Sequence, residues 1–209
     1  MSFDVVGIVS VVGIVLFSMI LHELMHGLTA YWLGDDTAKH AGRLTLNPLS
    51  HIDPLTTVLV PVLLYIGGLP PFGVAKPVPF NPNRVRYGEF GAALVGIAGP
   101  LTNLVLAFVA YGLSLVFAAD GAVANFLWLA VSVNLSFFAF NILPIPPLDG
   151  SRVLYAIAPD FVRRGMEAME RYGIIVIFAL VLLAGSFFSN IIGAISIFMI
   201  HLFMAVYGR

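Results

Sequence analysis

Long apolar runs alternate with short polar breaks along this chain, and the runs are long enough to be read as helices that cross a bilayer. The first extends from Val5 to Leu33, where Gly34, Asp35 and Asp36 end it. About 20 residues, rising 1.5 Å each, traverse the hydrocarbon of a membrane. A second stretch, Pro54 to Leu69, is near the minimum spanning length and ends in GGLPPFG, whose prolines and glycines forbid further helix. A third covers Phe90 to Ala118. The short turn Ala119, Asp120, Gly121 makes the fourth, Val123 to Leu143, its antiparallel neighbour. That run stops abruptly in NILPIPPLDG, residues 141–150. After the amphipathic segment FVRRGMEAMERYG, suited to a membrane interface, Ile174 to Val206 forms a last region too long for one ordinary span. Gly185 and Ser186 break it, predicting a helical hairpin over 172–207, with one long kinked helix as the alternative.

Two segments depart from this pattern. Residues 35–52 are polar, and Arg43 to Leu46 alternate in a way that predicts a short strand or hairpin arm. Residues 72–87 carry three prolines and three basic residues and cannot be regular helix. If the first span exits inward, Lys39, Arg43, Arg84, Arg86, Arg152, Arg163, Arg164 and Arg171 all fall on the inner side, and a terminal hairpin adds Arg209. The turn at Asp120 has no Lys or Arg, as the positive-inside bias requires. This topology makes 53–87 begin and end inward, as a span with an extended return through FGVAKPVPF or as a re-entrant loop. Non-helical backbone at membrane depth survives only when buried in protein or lining a cavity. The segment is therefore read as one wall of a wet cavity, with Lys76 at its mouth.

Composition agrees with this pattern. The 209 residues are 60% hydrophobic and 10% charged, with a mean hydropathy of +1.00, which fits an all-α polytopic membrane protein of five to six transmembrane helices rather than a soluble domain. It is read as a single membrane-embedded domain over 1–209. No basic residue precedes the first run and no small-residue cleavage pattern follows it, so it is read as a retained helix rather than a signal peptide. Cysteine is absent, so a metal would have to use His and carboxylate. A formal net charge of -1 gives no reason to expect nucleic acid as a partner.

One heptapeptide changes the picture. LHELMHG, residues 21–27, places His22, Glu23 and His26 inside the first apolar run, where ionisable residues are costly and point to function. Positions four apart project from one helix face, about 40° apart around the axis, with Glu23 about 100° from His22. HExxH on a helix is a zinc-binding arrangement in which two imidazoles ligate and the glutamate activates water. A catalytic zinc wants a third protein ligand and leaves its fourth position to water. Asp149 is the preferred candidate, because the prolines at 144, 146 and 147 end the fourth helix and let the carboxylate turn back into the bundle. His51 and Asp53 remain its rivals. Asn134 and Asn141, seven apart, lie two turns apart on nearly one face and suggest an inward polar stripe.

HELMHG at 22–27 together with NILPIPPLDG at 141–150 resembles the site-2 protease family of intramembrane zinc metalloproteases, in a small form without a PDZ domain. The likeness continues through GRLTLNP at 42–48, HIDP at 51–54, FGVAKPVP at 72–79 and AGPLTN at 98–103. It implies a three-helix catalytic core, about 5–33, 88–118 and 122–154, holding one Zn2+ through His22, His26 and Asp149. Glu23 would be the general base, Asn141 a residue holding substrate or the oxyanion, and Asn103 a residue facing the cavity. Family members cut transmembrane segments of regulatory proteins or remnant signal peptides, so the implied setting is a cell or inner membrane with the site toward the cytoplasm. Extended backbone near 72–80 would pair with an unwound substrate strand. A different class of protein, a transporter or a scaffold that binds membrane segments without cutting them, would use the same polar cluster.

Overall fold

The computed structural model describes residues 5–59, 76–117, 121–183 and 185–208. Helix α1, Val5–Trp32, is followed by the short α2, Thr37–His40, a 3₁₀ turn at Pro48–Ser50 and a π-helical turn at Pro54–Leu59. Then come α3, Gly88–Val116, and α4, Gly121–Asn141, with α5, Ser151–Ile157, and α6, Asp160–Arg171, after the proline turn. Helices α7, Gly173–Leu183, and α8, Gly185–Tyr207, complete the order. By length and apolarity α1, α3, α4 and α8 can cross a membrane. The chain is an all-α polytopic membrane protein.

Helix α3 is the centre of the bundle, with α1 and α4 packed against it. Its buried positions are largely small, among them Gly91, Ala92, Ala93, Gly96, Gly99, Ala107 and Ala110. Such residues allow helix backbones to approach closely in a membrane. Away from the polar cluster, Ala107, Tyr111, Val131, Leu135 and Phe203 form the main apolar core between α3, α4 and α8. Near the other end Ala30, Val85 and Val95 join α1 to the start of α3.

The end of α1 is closed by a Schellman motif. Gly34, at φ 106°, adopts a left-handed conformation while the N–H of Asp35 reaches Ala30 O at 2.9 Å and that of Gly34 reaches Tyr31 O at 3.0 Å. Asp35 itself is fully buried. Its carboxylate accepts from the Asn81 N–H at 2.6 Å and from the Thr37 N–H at 3.1 Å and hydroxyl at 2.5 Å, tying the 76–87 segment to the end of α1. Burial alone would push this carboxyl up, but those three donors and the charge of Arg84 outweigh it and hold it below the usual carboxylate range. The Arg86 N–H then donates to Leu33 O at 2.8 Å, setting α3 antiparallel to α1.

Three sequence expectations need correction or limits. The described residues contain no strand, and Arg43 to Leu46 form an irregular stretch bent at 44–45. The Arg43 N–H closes the end of α2 on Ala38 O, and its side chain points inward. Within 172–207, α8 is long and apolar enough to cross a membrane and α7 is not, which sets a limit on the hairpin expected there. Helix α7 has 11 residues and rises only about 16 Å, against about 30 Å of hydrocarbon. Phe188 of α8 packs on Leu143 and Leu148, whereas the Tyr207 hydroxyl donates to Phe108 O, so α8 runs antiparallel to α4 toward the Val116 end of α3. A hairpin would have returned the chain to the Trp32 end. Most of the second apolar stretch, 60–69, and the start of FGVAKPVPF lie outside the described residues, so the re-entrant reading falls there.

Candidate metal centre and active site

Helix periodicity sets His22 and His26 on one face of α1, with ring centroids 4.7 Å apart and planes at 82°. The chain returns to them much later. After α4 ends at Asn141, the Leu148 N–H donates to Ile145 O at 2.8 Å and the Gly150 N–H to Asn141 O at 2.7 Å, folding the proline turn back on the helix end. A Cβ at Gly150 would lie 2.1 Å from Ile142 O, so only glycine fits this fold-back. Asp149 is thereby delivered with its Oδ2 3.0 Å from His22 Nε2 and 3.4 Å from His26 Nε2. The two Nε2 atoms are themselves 3.0 Å apart.

These separations suit a metal ion. Vertices of a tetrahedron with bonds of about 2.0–2.1 Å stand roughly 3.3 Å apart. Hydrogen bonding at the far side of each ring fixes the tautomer as well. His22 Nδ1 lies 2.6 Å from Asn103 Oδ1, and Asn103 Nδ2 in turn donates to Asn134 Oδ1 at 2.9 Å. The Asn134 Nδ2 donates to Ala130 O, so the chain of donors runs one way and His22 Nδ1 must carry the proton. His26 Nδ1 donates to Val95 O at 2.7 Å. Both Nε2 atoms are left with lone pairs directed at one another and at a carboxylate oxygen, an arrangement that calls for a cation. Among the described residues this is the only metal-competent group of His and carboxylate side chains.

The rival ligands are engaged elsewhere. His51 is fully buried and donates through Nε2 to Thr45 O at 2.8 Å, while Asp53 Oδ1 accepts from the Leu55 N–H at 2.9 Å. Asn103, implied by the resemblance to face the cavity, and Asn134, of the inward polar stripe, are buried behind His22. Their amides satisfy each other and the imidazole, which is why they face the helix contact rather than the open space. Asn103→Ala should lower zinc affinity about 10–100-fold by freeing the imidazole. Competition against a chelator measures this, and an unaltered affinity would leave Asn103 with a packing role only.

The cavity beside the triad has a volume of about 720 Å³. Met19, Phe137, Phe140 and Ile177 supply apolar wall; His22, Glu23, Asn141 and Asp149 are among its polar groups, with Glu170, Arg171 and Tyr172 also lining it. A smaller cavity of about 140 Å³ adjoins His26 and shares Glu23, Pro77 and Asp149 with the first. Asn141 Nδ2 donates one hydrogen to Phe137 O at 3.0 Å, and the residue lines the larger cavity. Lys76 is exposed beside Pro77, which lines both cavities. Glu23 Oε2 accepts from the Val78 N–H at 2.9 Å. Strand addition by substrate has no donor at 76–79, because Pro77 and Pro79 lack an N–H, the Val78 N–H is held by Glu23, and the Lys76 N–H donates to His51 O at 3.0 Å. Pairing with a substrate strand over 72–80 would then use the Phe80 N–H and backbone carbonyls of the described part, or residues 72–75, outside the described residues.

Sequence reading missed one contributor and took the other, Gly99 of AGPLTN, only as a small residue for close helix approach. Val78 acts through its backbone, which leaves no mark in residue identity. Gly99 faces the triad so closely that a Cβ there would lie 2.4 Å from His26 Nε2 and 2.6 Å from His22 Nε2. Its spacing of four from Asn103, on the same α3 face, was the available signal.

An HExxH helix completed by a distant aspartate inside a polytopic helical bundle defines a membrane-embedded zinc metalloprotease. Residues 116–184 match the model of peptidase family M50. YwhC of Bacillus subtilis, assigned by name to the zinc metalloproteases, is 41% identical over 172 residues, 78% of this chain and 75% of YwhC. Rip2 of Mycolicibacterium smegmatis and Rip2 of Mycobacterium tuberculosis H37Rv, assigned by name likewise, are 32% and 31% identical over 80% of this chain; the chain spans 64% of the length of each. No solved structure matches this chain. The chain belongs to peptidase family M50, the site-2 proteases, and is a zinc metalloprotease.

Proposed function

We propose that this chain is an intramembrane endopeptidase that hydrolyses peptide bonds in or near transmembrane segments of other membrane proteins. The observation that carries the reading is the 720 Å³ cavity, in which an apolar wall meets Glu23, His22 and Asp149. An apolar segment can be received there and still reach hydrolytic groups, as a soluble polar peptide would not require. His22, His26 and Asp149 hold the zinc, which when bound acidifies water and polarises a carbonyl. Glu23 takes the proton from the attacking water and returns it to the leaving amine nitrogen. Asn141 offers its remaining amide hydrogen to the developing oxyanion, where losing one such donor costs roughly 3 kcal/mol. The substrate helix must unwind locally, because a carbonyl engaged in a helix is poorly exposed.

Its partners in this reading are the lipid bilayer and a single-span protein or remnant signal peptide. The basic residues of α2, the 76–87 segment, α5 and α6 gather toward the Trp32 end of the bundle, with Arg84 Nη1 2.7 Å from Asp36 Oδ1 and Arg152 paired with Glu170. Under the positive-inside bias this supports a site toward the cytoplasmic side of a cell membrane. The test is cleavage of single-span proteins in liposomes by wild type and Glu23→Gln. The variant should keep its zinc and cut about 10²–10⁴-fold more slowly. Equal rates would remove Glu23 from the role of base.

A further inference from the structure

A second constellation lies beside the triad. Arg43 is 7% exposed, and its Nη2 donates to Lys76 O at 2.6 Å and to Pro77 O at 3.3 Å. Buried His51 supports the same stretch, its carbonyl accepting from the Lys76 N–H at 3.0 Å. The Pro77 carbonyl and the Val78 N–H belong to one peptide group. A guanidinium therefore stands at the oxygen of that group, and the Glu23 carboxylate accepts from its hydrogen at 2.9 Å. Cation at one end and anion at the other align the peptide dipole between them and strengthen both hydrogen bonds.

The sequence isolates this group. In Pro77-Val78-Pro79 only Val78 has an N–H. Its side chain is buried over Gly27, one helical turn beyond Glu23, where a Cβ would lie 2.9 Å from Val78 Cγ1. The missing side chain at 27 is what lets the segment come close enough to reach Glu23. A buried guanidinium is costly unless hydrogen-bonded; here Nη2 is bonded to the Lys76 and Pro77 carbonyls while the buried Nε finds no partner among the described residues.

We propose that Arg43 is a positioning residue for Glu23, acting through the Pro77–Val78 peptide group. The inference rests on the reading of Glu23 as general base. The 43–51 turn, the extended segment and α1 then work as one unit that aims the carboxylate.

The test uses the full chain in phosphatidylcholine–phosphatidylglycerol liposomes. The probe is a single-span test protein whose Leu/Ala-rich span is interrupted by Gly-Pro, and zinc content is measured for every variant. Val78→Pro removes the N–H, and Val78→Thr keeps it as the reference. Relative to Val78→Thr, Val78→Pro should lose about 10²-fold in kcat with KM and zinc unchanged. Arg43→Met should lose kcat in the same way, and Arg43→Lys should recover part of it. The double variant Arg43→Met/Val78→Pro should fall no further than Val78→Pro alone, since both remove one interaction. Multiplying losses, or wild-type kcat in Arg43→Met, would overturn the inference. Glu23→Gln separates the two readings: full activity there would remove the base itself, whereas an inactive Glu23→Gln beside an active Val78→Pro would leave the base and end the positioning role. A readout without substrate is the amide proton resonance of Val78 in 15N-valine protein. It should move in both Glu23→Ala and Arg43→Met, and a resonance fixed in either variant overturns the proposal.

Discussion

Asp149→Ala is expected to lose its zinc and all hydrolysis while its helices remain packed. The carboxylate lies 127 positions beyond His22 in the chain, so of the three grouped side chains it is the one that joins the two halves of the site. Without it two imidazoles remain, one short of the three protein ligands that a catalytic zinc uses. Loss of an outer hydrogen-bond partner alone typically costs about 10–100-fold in metal affinity, and a direct ligand is worth more than that. The backbone that presents Asp149 does not depend on its side chain, because Gly150 and Leu148 donate to Asn141 O and Ile145 O. Metal analysis beside His22→Ala should therefore find both variants helical and zinc-free. Zinc near one per chain in Asp149→Ala would take the aspartate out of the centre and return the question to His51 and Asp53.

The grouping of His22, His26 and Asp149 was legible in the sequence because each part follows from local rules. His22 and His26 share a face through helix periodicity alone, and a proline run followed by Asp-Gly must leave a helix and turn. Other parts were hidden for physical reasons. Leu44 and Leu46 alternate with polar neighbours, yet Leu44 is drawn in against Gly27 while Leu46 stays 61% exposed, so the alternation records one packing contact and not a sheet. Asn103 and Asn134 are polar on membrane helices in either role. Only the direction of their amides separates an orienting pair from cavity residues. The last apolar region has the hydropathy of two spans, but a helix of 11 residues cannot make a crossing whatever its composition. The contact between Glu23 and the Val78 N–H joins a side chain to a backbone, so residue identity at 78 was silent about it.

The second large effect is expected at Gly99, and it separates metal binding from helix stability. Replacing glycine by alanine inside a helix should favour α3 by about 1 kcal/mol. The new methyl group would lie 2.4 Å from His26 Nε2, 2.6 Å from His26 Cε1 and 2.6 Å from His22 Nε2, where no carbon fits. Neither ring can swing aside freely, since His22 is held by Asn103 at 2.6 Å and His26 by Val95 O at 2.7 Å. Overpacking of this kind costs about 1–3 kcal/mol, which roughly cancels the gain in helix propensity, so unfolding temperature should change little. The Nε2 lone pairs are a different matter, because the methyl group stands against the atoms that must face the metal. Gly99→Ala should purify as a folded, zinc-poor protein without hydrolytic activity. Gly13→Ala is the control: it lies in α1, a Cβ there meets nothing within 4 Å, and it should keep full zinc. A Gly99→Ala protein with normal zinc and activity would mean that α1 and α3 can separate enough to admit the methyl group, and that their close approach is not what forms the centre.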